Sequence, residues 1–529
     1  MTRKRFFRQS PALAAIAFFS LSNPIQAEQP ASTEWLELEL AEARRALAEE
    51  RLSSHQLTAY YLDRIARLDH AGPQLRSIIE INPDAPADAA RLDRERRQQQ
   101  LRSPLHGLTV VIKANIATAD RTATSAGSLA LNGYHAPADA QLVAQLRAAG
   151  LVILGKANLS EWANFRSPDS ASGWSSAGGQ TRNPYVLNRT PCGSSSGSAV
   201  AVSANLSLFA VGTETDGSIL CPAAMNGVVG IKPSHGSISG DGIIPIASSQ
   251  DSAGPMARRV ADAAALLQLM LTPAAAERLG NNLYERAEAG SLKGARIGLV
   301  TQYADDYPEI QEIVTTAGAA MQAAGAVVVP LAQWQLAENT RDDEFQVLVY
   351  EFKRDLNQWL HDFEQPAGLA DITAIIAYNR QHRQQVMPFF GQEFFHQAAA
   401  IDLQAREQAW RDARRRSQQA AAALIDGHLK QHQLDAILLP SYSLPWLIDH
   451  IDGDRFGFGT SSPAAIAGYP AITLPGGLVR ELPVGLSLVG GHWRDASLIA
   501  LAAALERQLQ ARQPPRFIPS LEQTSATAQ

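Results

Sequence analysis

The feature that most narrows what this chain can fold into is a series of short, almost wholly apolar runs set between segments of helical periodicity. The runs are LTVVI (108–112), LVILG (151–155), LFAVG (208–212), GVVGI (227–231), RIGLV (296–300), AVVVPL (326–331), DAILLP (435–440), AITLP (471–475) and VGLSLVG (484–490). Helical patterns fall among them at 139–150, 260–271 and 310–325, and DASLIALAAALERQL (495–509) closes the series. Strands this rich in Val, Ile and Leu need cover on both faces. The alternation therefore predicts an α/β fold with one large, mixed, mostly parallel sheet covered by helices on both faces.

Departures from the alternation set the expected boundaries. Residues 28–104 read as an N-terminal helical segment packing on the core, with DAPADAARLDRERRQQQLR (84–102) a solvated, charged helix. The core occupies 105–339. Residues 340–433 show helical patterns and no strand, which predicts a helical insertion placed to cap a site. The strand pattern resumes over 434–515 as the C-terminal part of the same core, and 516–529 reads as a tail.

The first residues, MTRKRFFRQSPALAAIAFFSLSNPIQA, put basic residues before an apolar run and small residues at its end. This is the pattern of a secretory signal peptide over 1–27, cleaved after Ala27. TRKRFFR also resembles a twin-arginine signal, with Lys4 in place of the second Arg. The expected location is periplasmic or secreted. The apolar run is shorter than the ~20 residues a membrane span needs. A net charge of −6 gives no electrostatic case for nucleic acid. Of the two cysteines, Cys192 and Cys221, export would permit a disulfide. The expectation is nevertheless a pair of small buried hydrophobes. No metal and no cofactor is expected.

Chemistry concentrates in TPCGSSSGSAVAVSANLSLFAVGTETDGSILCP (190–222). Its middle is core material, so the serine clusters at its two ends are being held rather than left free. Gly193 to Gly197 matches G-x-S-x-G and would make Ser195 a nucleophile, with Asp449-His450 or His492 completing a triad. That elbow requires a strand directly before it, and RNPYVLNRTPC is loop-like. A serine can instead be activated by a lysine that burial keeps neutral. The chain has seven lysines against 39 arginines, and three of them, Lys113, Lys156 and Lys232, follow apolar runs. Composition does not choose among the three, and each reads equally as a solvated lysine at a strand end. In VGTETDGS (211–218) the backbone N–H groups of Thr215, Asp216, Gly217 and Ser218 can form an oxyanion-binding nest, or simply a turn.

A lysine after VVI, a G-S-S-x-G-S run and then a Thr-x-Gly-Ser-Ile run ahead of Pro222 together resemble the amidase signature family. GKANLSEWANF (155–165), GGQTRNP (178–184), SQDSAGPM (249–256) and AGYPAITLPGG…LPVGLSLVGG (467–491) extend the resemblance over most of the chain. The resemblance implies the amidase signature fold and a Ser-cisSer-Lys triad. Ser218 would be the nucleophile, Ser194 the bridging serine and Lys113 the base, with Thr215, Asp216, Gly217 and Ser218 as the oxyanion hole.

Three positions depart from the family pattern: Ala114 for Asp, and Asp216 and Ser196 for glycines. GTETDGSI, CGSSSGSAVAV and SEWANF look like the bacterial peptide amidase subgroup. The implied reaction is removal of ammonia from C-terminal peptide amides. The alternatives are hydrolysis of other small acyl or aryl amides, or an α/β-hydrolase-type esterase using Ser195. The implied partner is a small amide or short peptide amide. The protein would work as a monomer or small homo-oligomer, without nucleic acid and, once the signal is removed, without a membrane.

Overall fold

The computed structural model describes Thr2 and residues 35–303, 306–364 and 368–521. The expected signal peptide, apart from Thr2, and residues 522–529 of the expected tail lie outside the described residues.

Among the described residues thirteen strands follow in order: β1 (Ile78–Ile81), β2 (Thr109–Lys113), β3 (Val152–Ala157), β4 (Trp174–Ser175), β5 (Gly179–Gln180), β6 (Phe209–Glu214), β7 (Val229–Lys232), β8 (Ser252–Ala257), β9 (Arg296–Val300), β10 (Val327–Leu331), β11 (Ala436–Pro440), β12 (Ala471–Val479) and β13 (Leu482–Val489). Eleven make one sheet in the order β1-β3-β2-β6-β8-β7-β12-β13-β11-β9-β10, and β4 and β5 form a separate ribbon. Each of the nine apolar runs forms a strand of the large mixed sheet, and helices cover both faces. Parallel pairs lie in two blocks, β3-β2-β6 and β11-β9-β10. The strands between the blocks pair antiparallel.

Two strands of the sheet lie outside the nine runs. β1 is a four-residue edge strand, mostly half-buried. β8, SAGPMA, is fully buried between β6 and β7. Its glycine is a packing requirement. A Cβ at Gly254 would lie 2.0 Å from the carbonyl oxygen of Ile231 and 2.9 Å from a methyl of Ile219.

The stretch that opens at the serine clusters folds as one hairpin-like unit. Helix Ser196–Ser203 runs beneath the first cluster, and β6 returns to the second. The helix is buried along its whole length and packs on β2, β3, β6 and β8. Burial on every side explains why its sequence, SGSAVAVS, is small and apolar all round.

After β10 the described chain passes through helices Thr340–Asp362, Ile372–Gln381, Arg383–Val386, Glu393–Ala399 and Leu403–His432, with no strand among them. Phe352, Leu356 and Phe395 of this region share an apolar cluster with Trp162 and Phe165 of the SEWANF motif. The Arg166 guanidinium fastens the two. It pairs with Glu161 at 2.6 Å, and its donors reach the carbonyls of Val386 (2.7 Å) and Gly391 (3.0 Å). Both charged side chains are fully buried. The pair is sustained only because those carbonyls, and the Ser176 N–H on Glu161, complete its hydrogen bonds. No described helix is long and apolar enough to cross a membrane.

Candidate active site

The site lies beyond the C-terminal ends of β2 and β6, neighbours in the sheet. Lys113 is the last residue of β2 and is fully buried. Its Nζ donates to Ser194 Oγ at 2.8 Å, to Thr213 Oγ1 at 2.8 Å and to the Thr213 carbonyl at 3.1 Å. Three acceptors match the three N–H bonds of an ammonium. Burial pushes the Lys113 pKa down to about 7, against the opposing pull of the Asp251 and Glu214 carboxylates.

Lys156 and Lys232 are buried as well, and each spends its Nζ on protein oxygens. Lys156 donates to the Ile116 carbonyl (2.6 Å) and to Thr124 Oγ1 (3.2 Å), and Lys232 to the Pro233 carbonyl (3.1 Å). What separates Lys113 from the other two is a serine partner.

The peptide bond between Gly193 and Ser194 is cis. Gly193 is held where a Cβ would fall 2.0 Å from Ser160 Oγ. The Ser194 carbonyl accepts from the Ser160 N–H (3.1 Å), and the Ser195 N–H donates to the Ser218 carbonyl (3.1 Å). The two serine clusters are thus joined backbone to backbone.

Ser218 lines a cavity of about 520 Å³ together with Thr215, Asp216, Gly217, Gly193 and aromatic residues including Phe394, Trp446 and Phe456. Lys113 and Ser194 are completely shielded behind it. The backbone N–H groups of Asp216, Gly217 and Ser218 have no acceptor among the described residues. A larger cavity, about 820 Å³, shares Ala163, Thr215 and Ile246 with the first but does not reach Ser218.

Ser195 is placed differently from a nucleophile. It is fully buried, donates to the Thr213 carbonyl (3.0 Å) and accepts from the Thr213 N–H (3.1 Å), so it pins its cluster to β6. The histidines that would complete its triad are elsewhere. His450 bonds Gln180 and stacks on Phe389, and His492 stacks on Tyr469. Ser196 Oγ donates to the Cys192 carbonyl at 2.6 Å, a bond a glycine would lack. Ala114 has no polar side chain to offer the site. Its backbone is nonetheless anchored, its N–H to Ala157 and its carbonyl to the N–H groups of Ser125 and Ala126.

The expectation for the cysteines is corrected. Cys192 and Cys221 are both buried, but they are joined as a disulfide. One lies two residues before Ser194 and the other three after Ser218. Sequence spacing alone does not reveal that the two clusters meet.

A profile of the amidase family matches residues 56–499. The chain belongs to the amidase family. It is similar to the native peptide amidase from Stenotrophomonas maltophilia, with 45% identity and a TM-score of 0.84 over 92% of this chain and 100% of that one. It is 37% identical to a probable amidase from Arabidopsis thaliana over 91% of this chain and 92% of the relative. It is 33% identical to a glutamyl-tRNA(Gln) amidotransferase subunit from Pseudomonas savastanoi pv. phaseolicola, over 88% and 96% of the respective chains.

The amidase site also uses residues that the sequence reading does not single out. Asp216 accepts hydrogen bonds from the hydroxyls of Ser461 (2.5 Å) and Ser462 (2.6 Å). Ser461 accepts in turn from the Tyr442 hydroxyl (2.6 Å). Gly217, at φ +79°, lies so close that a Cβ there would meet Tyr442 Oη at 2.0 Å. The Thr215 hydroxyl donates to Asp251, whose other oxygen accepts from the N–H groups of Ile246 (2.8 Å) and Ala247 (3.0 Å). Burial pushes the Asp251 carboxyl up to about 7. Gln250 donates to the Thr215 carbonyl (2.8 Å) and to Glu344 of the helical region (2.7 Å). Single serines far along the chain carry no signal of such a role. Asp251 and Gln250 lie in the SQDSAGPM motif, which is the available clue.

Proposed function

We propose that this amidase hydrolyses C-terminal peptide amides to the free acid and ammonia through Ser218, Ser194 and Lys113. The observation that carries the reading is the 2.8 Å bond from Lys113 to Ser194, behind a cavity into which only Ser218 of the three projects. Above its depressed pKa the lysine is neutral and can take a proton from Ser194 as Ser194 takes one from Ser218. The Ser218 oxygen attacks the amide carbon. The carbonyl oxygen becomes an anion that the N–H groups of Asp216, Gly217 and Ser218, which have no acceptor among the described residues, would stabilise. Collapse breaks the C–N bond as the proton returns along the same serines to nitrogen, and ammonia leaves. Water then attacks the ester, Ser218 recovers its proton, and the acid departs.

The peptide amidase likeness supports the substrate class. The signal-like N-terminus supports export. The deciding experiment incubates the chain beginning at Glu28 with a short peptide amide and follows peptide mass and released ammonia. A gain of about one dalton without internal cleavage is expected, from the exchange of –NH₂ for –OH. Turnover confined to simple acyl or aryl amides would keep the triad and discard the peptide assignment.

A further inference from the structure

The bonds around Lys113 raise a question that the three-residue scheme leaves open: which way its lone pair points. A neutral lysine has two N–H bonds and one lone pair. Three oxygens surround Nζ. One is the Thr213 carbonyl, which only accepts. The other two are hydroxyls, Thr213 Oγ1 and Ser194 Oγ, and each can accept or donate. If the second N–H turns to Ser194, the lone pair faces Thr213 and Ser194 cannot deliver a proton. If it turns to Thr213 Oγ1, the lone pair faces Ser194.

Asn115, two residues after the lysine, bears on that choice. Its Nδ2 donates to Thr213 Oγ1 at 3.1 Å and to the Ile244 carbonyl at 3.4 Å. Ile244 in turn donates its N–H to the Asn115 carbonyl at 2.8 Å, so the asparagine is held from both sides. The carbonyl of Ile244 fixes which end of the carboxamide faces Thr213, because only the NH₂ end can meet it. A donor is therefore aimed at the Thr213 hydroxyl oxygen, which also accepts from Lys113 Nζ. All three residues are buried.

We propose that Thr213, oriented by Asn115, is a positioning residue: its carbonyl and hydroxyl hold both N–H bonds of the neutral lysine and thereby aim the lone pair at Ser194. The inference rests on the Ser218–Ser194–Lys113 reading above. The charged groups facing Lys113 are Asp251, from the loop before β8, and Glu214, from the end of β6. Neither bonds Nζ, so removing the threonine hydroxyl leaves both in place.

The test compares Thr213→Val, which keeps the shape and removes the hydroxyl, with Thr213→Ser, which restores it. Two readouts are taken. The first is the pH profile of kcat and KM on a peptide amide. The second needs no substrate: titration of the Lys113 side chain by NMR in protein labelled at lysine Cε, its resonance identified by loss in Lys113→Ala. The expected result for Thr213→Val is a kcat about tenfold lower or less, with KM within about twofold. The acid limb and the Lys113 titration should both move to lower pH, because the ammonium loses an acceptor. Thr213→Ser should return all three toward the parent. If valine crowds the site and the variant does not fold, Thr213→Ala is read in the same way. An unmoved Lys113 titration, or a serine variant as slow as the valine one, overturns the inference. Failure of the unmodified protein to turn over any amide is a different result. It would count against the proposed reaction, while the lysine titration would still decide the role of Thr213.

Discussion

Lys113 Nζ lies 2.8 Å from Ser194 Oγ although the two residues stand 81 positions apart in the chain. β2 delivers the lysine from one side and the loop ahead of helix Ser196–Ser203 delivers the serine from the other. Removing either end of this contact has a different expected cost. On the proposed mechanism Lys113→Ala and Ser218→Ala should reduce amide turnover to background, since one deletes the proposed base and the other the proposed attacking atom. Ser194→Ala should lower kcat by on the order of 10²–10⁴-fold, the usual worth of a positioned proton-transfer group, with the circular dichroism spectrum unchanged. Full activity in Ser194→Ala would sink its bridging role.

The pH dependence follows from the direction of the lysine shift. Burial favours the neutral amine and brings the Lys113 pKa down to about 7. Below that value the lysine is charged and cannot accept a proton. Above it the base is ready. The value of kcat/KM should therefore rise with pH through a midpoint near 7 and level off on the alkaline side. A profile falling over that interval would exclude a neutral-lysine base.

The disulfide spans 29 positions and encloses both the cis peptide and the 215–218 loop. In the chain-entropy picture a loop of that size contributes about 3.5 kcal/mol to stability. Replacing both cysteines with alanine should lower the denaturation midpoint in guanidinium accordingly. An unchanged midpoint would mean that packing alone holds the clusters together.

Gly217 has neither the backbone conformation nor the space for a side chain. Gly217→Ala should cost about 1–3 kcal/mol from the positive φ alone. Displacing one oxyanion donor should also cut kcat by roughly 10²–10³-fold. Adding Tyr442→Phe removes the nearest clashing atom but leaves the strained φ. The double variant is thus expected to regain part of the stability and little of the rate, as thermal denaturation and steady-state kinetics would show.

The contrast between β3 and β8 explains what could be read in advance. LVILG announces itself because a strand buried on both faces needs large branched side chains. SAGPMA is just as buried, yet at Gly254 the Ile231 carbonyl of β7 presses so close that no side chain fits. Close approach erased the usual signature. The same division runs through the site. Lys113 and the serine clusters stand out because their neighbours in the chain are distinctive. Ser461, Ser462 and Tyr442 do not, because what defines them is a meeting with Asp216 and Gly217 across more than two hundred residues. The cysteines fall between. Both are visible beside the clusters, but the bond between them depends on a fold the spacing does not encode.

The clasp of Ser461 on Asp216, 245 positions later in the chain, has a consequence for biosynthesis. The proposed nucleophile, relay and base all precede in the chain, by more than two hundred residues, the hydroxyls that hold the neighbouring loop in place. A chain arrested after β7, or released early, would carry the reactive serines without the brace that shapes their surroundings. Completion of synthesis thus becomes a condition of a finished site.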